Sequence, residues 1–85
     1  MSKPDMVDNR SAFRYKTSRP AKIMLDDGNR IECIVRDIST KGARLELTAP
    51  TKTPDQFVLF IRGQNQRFHC NVVWRNENVM GVRYF

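Results

Sequence analysis

Between Ala21 and Phe85 the apolar residues recur at every second position in short runs, and no stretch sustains a helical period. This pattern restricts the chain to strands. In "RIECIVR" Ile31, Cys33 and Val35 fall on one face and Glu32, Ile34 and Arg36 on the other. "ARLELT" sets Ala43, Leu45 and Leu47 against Arg44, Glu46 and Thr48, and "QRFHCNVVW" aligns Phe68, Cys70, Val72 and Trp74. "AKIML", "QFVLFI" and "VMGVRYF" complete six strands. Turn clusters separate them at Asp26-Asp27-Gly28-Asn29, Arg62-Gly63-Gln64-Asn65 and Arg75-Asn76-Glu77-Asn78, while residues 49–55 form a loop with room for one helical turn. Joined by short turns, the strands are antiparallel, and in a chain of 85 residues a closed barrel is the arrangement that best removes unpaired edges. The expected fold is therefore an all-β, six-stranded antiparallel barrel over residues 20–85.

A domain this small buries only about 60% of its unfolded surface, so its core is modest and multi-domain mechanisms are excluded. The net charge of +6 points to an anionic partner. Arginines outnumber lysines ten to five, which favours planar, bidentate recognition. Residues 1–22 hold six basic side chains against two acidic ones, so the charge is concentrated at the N-terminus. Residues 1–19 lack periodicity and are expected to form a flexible basic arm. No apolar run approaches the ~20 residues that span a bilayer, and a signal peptide's hydrophobic region is absent, so the expected location is the cytoplasm without membrane insertion. Cys33 and Cys70 read as core residues, and with His69 the sole histidine no metal site or cofactor is expected. No nucleophile–base set is visible, so the chain is read as a non-enzyme with His69 exposed. Trp74, at core parity, is expected to pack inside.

The corner Asp37-Ile38-Ser39-Thr40-Lys41-Gly42 interrupts two strands. Turn chemistry accounts for it: Asp and Ser bond nearby amides, and Gly42 is able to take positive φ. In an antiparallel hairpin, however, the start of the first strand lies beside the end of the second, so the arm carrying Arg10 and Arg14 emerges next to Asp37. Guanidiniums suit the O6 and N7 edge of guanine and its phosphates, and a carboxylate suits guanine N–H donors. Arg36 and Arg44 flank the corner as secondary candidates, with pairing of Arg44 to Glu32 or Glu46 as the alternative.

These residues resemble the PilZ domain, a receptor module for the bacterial messenger cyclic di-GMP. Arg10-Ser11-Ala12-Phe13-Arg14 is similar to its first motif, two arginines with three residues between, and Asp37-Ile38-Ser39-Thr40-Lys41-Gly42 to its second. "GARLEL", "VVWR" and "GVRYF" are also similar to single-domain members. The resemblance implies a six-stranded barrel with ligand on its outer surface, wrapped by the arm. Arg10 and Arg14 would grip guanine edges and phosphates, Asp37 and Ser39 would bond a guanine, and Gly42 would admit the close backbone. The basic run that usually precedes the first motif is replaced by Asp8-Asn9, and the C-terminal helix of many members is absent. The expected function is a cyclic di-GMP receptor that signals through a partner protein, in processes such as motility or biofilm formation. The alternatives are a basic barrel binding single-stranded RNA or DNA through its positive arm, and a nucleotide-free interaction scaffold, which the intact motifs disfavour.

Overall fold

A computed structural model of the chain describes residues 15–85, and Arg10 and Arg14 lie outside the described residues. Six strands form, with no helix among these residues: β1 (Tyr15–Met24), β2 (Arg30–Ile38), β3 (Gly42–Leu47), β4 (Gln56–Ile61), β5 (Arg67–Asn76) and β6 (Val79–Tyr84). They pair antiparallel around a closed barrel in the order β1-β2-β3-β6-β5-β4. The expected fold class is what the chain adopts. Its barrel starts earlier than the expected boundary at Pro20, because residues 15–19 belong to β1. A bulge between Lys16 and Arg19 breaks the alternation there, which hides the strand from a period-two reading.

The inward residues fuse into one core. Ala21 and Ile23 from β1 meet Cys33 and Val35 from β2 and Leu45 and Leu47 from β3. Phe57, Leu59 and Ile61 of β4 close it with Cys70, Met80 and Val82. Truncating a buried leucine such as Leu45 costs about 2–5 kcal/mol, a large part of the ~5–15 kcal/mol that holds a small domain together. Three turns fall where the sequence sets them. Gly28 and Gly63 adopt φ of 88° and 89°, a region that favours glycine. Glu77 takes φ 56° in the two-residue turn between β5 and β6. Asn78 secures that turn to β3, its side-chain amide donating to the Leu47 carbonyl (3.1 Å) and its own carbonyl accepting from the Leu47 amide (2.7 Å). The loop over 49–55 has no helical turn; the Arg75 guanidinium ties it to β5 by donating to the Asp55 carboxylate (3.0 Å) and to the Thr53 and Pro54 carbonyls (2.9 Å each).

Cys33 and Cys70 are buried free thiols. Burial pushes both thiols up to about 12 from 9.0. The unfolded chain releases these protons near 9.0 while the folded barrel retains them to about 12, so stability falls as pH rises through that window. A thiol-reactive dye at pH 8 is expected to leave both cysteines unmodified in the native chain and to label both in denaturant. Rapid labelling of the native protein would contradict the burial.

Candidate functional site

The corner between β2 and β3 is built by one hydroxyl. Ser39 Oγ donates to the Gly42 carbonyl (3.3 Å) and accepts from the Lys41 and Gly42 amides (3.2 Å each), while the Ser39 amide donates to the Gly42 carbonyl (2.9 Å). These bonds satisfy backbone groups that no ladder reaches. Gly42 serves differently from the expectation of a positive φ, which only Gly28 and Gly63 adopt among the described glycines. A Cβ on Gly42 would stand 2.0 Å from the Val82 carbonyl oxygen. Glycine is needed there so that β3 and β6 can approach, with Gly42 opposite Arg83.

Beside the corner lies a cleft of ≈ 240 Å³. Asp37, Ser39, Gly42 and Arg44 line one wall and Trp74, Gly81 and Arg83 another. The structure thus brings together four of the residues that sequence reasoning singled out. Arg36 is not among them: it donates to the Glu46 carboxylate (2.8 Å) and to Ser18 Oγ (2.5 Å), on the outer wall. A second hollow of ≈ 450 Å³ opens on the other side of the corner, but of the expected site residues it contains only Ser39.

Trp74 corrects the reading that placed it in the core, for it is 44% exposed. A bulge explains the change. Val72 pairs with Val82 and Trp74 with Gly81, so Val73 is an extra residue that shifts every later side chain of β5 to the opposite face. The indole then crosses the strand pair at Gly81, where an added Cβ would sit 2.1 Å from its Nε1. Two further bulges lie near this end of the barrel, between Val35 and Asp37 in β2 and between Lys16 and Arg19 in β1.

Asp37 faces Arg44 across β2 and β3, and the Arg44 Nε donates to Asp37 Oδ2. The partner of Arg44 is therefore Asp37, in place of Glu32 or Glu46. The Asp37 side chain is only 13% exposed, so the ion pair holds it in a fixed orientation. Among the described residues no bond engages its Oδ1 or the Arg44 η nitrogens. With that pair balanced, Lys41 and Arg83 leave the cleft cationic. Neither was singled out from the sequence, although the pairing of Gly42 with Arg83 follows once β3 and β6 are known to be neighbours. The cleft thus offers a fixed acceptor, cationic donors and an aromatic face, a set for binding an anionic aromatic ligand. Among the described residues no group of His, Cys, Asp and Glu is placed to hold a metal, and no helix is long and apolar enough to cross a membrane.

The start of β1 is drawn to the same place. Tyr15, the residue after Arg14, pairs with Ile38, and Lys16 pairs with Asp37. The family model described as the PilZ domain matches residues 8–85, which include Arg10 and Arg14 as well as the corner. The fold is similar to the crystal structure of an uncharacterized Legionella protein, with a TM-score of 0.56 and 24% identity over 85% of this chain and 75% of that one. No curated protein matches the sequence.

The two glycines of the site make opposite demands on a test. Gly42→Ala sets a methyl against the β6 backbone and is expected to cost more than about 3 kcal/mol, read as a collapse of the thermal melt. Gly81→Ala meets the Trp74 indole first, a side chain rather than backbone, so the barrel should stay folded while emission from the sole tryptophan shifts. An unchanged spectrum in that variant would mean the indole does not rest on Gly81.

Proposed function

This chain belongs to the PilZ domain family, a family of cyclic di-GMP receptors, and from that premise we propose that it binds cyclic di-GMP in the cleft beside Asp37–Gly42. The observation that carries the reading is the pairing of Tyr15 with Ile38 and Lys16 with Asp37, since it starts β1 one residue past Arg14 at the lip of the corner. Arg10 and Arg14 then grip guanine edges and phosphates in bidentate fashion. The Asp37 oxygen not bonded to Arg44 accepts from a guanine N–H, and the corner around Ser39 and Gly42 holds the backbone at the distance the base requires. Arg44, Lys41 and Arg83 supply further charge for the phosphates, and the Trp74 face supplies a surface for the base.

Binding fixes the N-terminal residues against the barrel, and a partner protein reads the resulting surface. Fixing a residue costs roughly 1–2 kcal/mol, whereas a micromolar complex retains about 8 kcal/mol, so several strong contacts are required. The arginines of the first motif are the strongest available. Removal of either is therefore severe.

Calorimetric titration with cyclic di-GMP, beside GMP and a short single-stranded oligonucleotide in moderate salt, tests this directly. Cyclic di-GMP is expected to bind at micromolar concentration and to quench Trp74 emission, while the other two bind far more weakly. Arg14→Ala and Asp37→Ala should each weaken binding at least about tenfold, equivalent to about 1.4 kcal/mol. The melt should change little, because Arg44 is 41% exposed and its guanidinium is solvated when the Asp37 partner is removed. Wild-type affinity in a variant removes that residue from the site. Preference for the oligonucleotide, with affinity falling steeply as salt rises, replaces the reading with nucleic-acid binding.

A further inference from the structure

The outer face of β4 is unusual for a solvated strand. Its inward residues Phe57, Leu59 and Ile61 belong to the core, yet two of the residues between them, Val58 and Phe60, are also apolar, and Phe60 is 39% exposed. Their cross-strand neighbours are known from the register. Phe60 stands between Lys22 of β1 and Arg67 of β5, and Val58 between Met24 and His69. The apolar strip Met24–Val58–Phe60 therefore spans two strands, β1 and β4. At its Phe60 end the cations gather. Lys22 and Arg67 flank the ring, Arg62 follows β4 with its amide donating to the Pro20 carbonyl (2.9 Å), and Arg19, opposite Val35, stands at the barrel rim with a guanidinium nitrogen 3.5 Å from where a Cβ on Gly63 would stand. Only Glu32, opposite Lys22, offsets them at that end, while Asp26 and Asp27 lie in the turn beyond Met24. None of these four cations takes part in the ion pairs formed among the described residues.

We propose that this face of β1, β4 and β5 docks a partner protein through a segment that presents apolar side chains to Phe60 and Val58 and carboxylates to Arg19, Lys22, Arg62 and Arg67. An apolar centre bordered by charges is the anatomy of a protein interface, and complementary charge sets the register of the partner. Two other occupants fit worse. A two-fold copy of this chain would bring the same cations against each other. The segment before β1 carries Lys3, Arg10 and Arg14 against Asp5 and Asp8, so its charge has the wrong sign. A single exposed aromatic also makes a poor platform for successive bases, which need several stacking faces in a row.

The apolar centre of the face, Val58 and Phe60, lies across the barrel from the cleft, although Arg67 at its edge borders the second hollow that Ser39 also lines. In the barrel order the β1–β4 pair lies opposite the β3–β6 pair, which forms the floor of the nucleotide cleft. The docking surface is thus present with or without nucleotide, and its test needs none. Full-length ¹⁵N-labelled protein is titrated with a short synthetic peptide that alternates leucine and phenylalanine with glutamate. The controls are a glutamate–serine peptide, a lysine–leucine peptide, a thymidine oligonucleotide and phosphatidylglycerol vesicles. The glutamate–leucine–phenylalanine peptide is expected to bind at least about tenfold more tightly than any control and to shift amides at Lys22, Phe60 and Arg67. Phe60→Ser and Arg67→Glu, both at exposed positions, should each weaken it at least about fivefold without altering the melt. The proposal is overturned if the glutamate–serine peptide, the oligonucleotide or the vesicles bind as well, or if the shifts map to the Trp74 cleft. Because no nucleotide enters the experiment, its failure leaves the cyclic di-GMP reading untouched, and the reverse also holds.

Discussion

The barrel depends on how closely β3 and β6 approach each other. At Gly42 the Val82 carbonyl occupies the space of a side chain, and no other residue permits that distance. This contact joins the hairpin pair β1–β2 and its continuation β3 to the second hairpin, β5–β6. It also fixes the corner, since the carbonyl of the same glycine accepts from the Ser39 amide and hydroxyl. Closure of the sheet and placement of the Asp37 carboxylate are thus one event. A substitution that loosens the barrel here also disperses the cleft.

Bulges do the remaining positioning. An alternating strand can only direct side chains inward or outward in strict turn, and a site at a sheet surface needs departures from that rule. Each of the three irregularities lies near the corner: in β1 before Arg19, in β2 before Asp37 and in β5 before Trp74. The one in β2 turns Asp37 toward Arg44, and the one in β5 turns the indole out. Arg75, bonded to Asp55, Thr53 and Pro54, holds β5 immediately past its bulge. The irregular end of the barrel is consequently braced by its own loop.

Much of this was legible in the sequence, for reasons that also explain what was not. Alternation in β2 and β3 read correctly because Cys33, Val35, Leu45 and Leu47 keep strict parity, whereas β4 is apolar on both faces and its parity did not show. The glycine-bearing turns were equally plain. Hairpin geometry was enough to set the start of β1 beside Asp37, as the Tyr15–Ile38 pairing has it. What failed were features that depend on a one-residue offset. Trp74 looked internal because nothing in "CNVVW" marks Val73 as surplus, and β1 looked short because its bulge disguises residues 15–19. Gly42 was read from local turn rules, whereas its requirement comes from Val82, forty positions further along the chain. Arg83 went unnoticed for the same reason: only strand order reveals it as a neighbour of the corner.

The surplus residue at Val73 also bears on how such domains diverge. Loss of that codon would set Trp74 directly after the inward Val72, and because the two faces of a strand exchange at every step the indole would still stand outside, opposite Gly81, now on a strand without a bulge. A regular strand of the present length would instead carry the indole inward. Among descendants of this gene the aromatic wall of the cleft thus survives a change of one residue in strand length, and what preserves it is the pairing of Trp74 with Gly81.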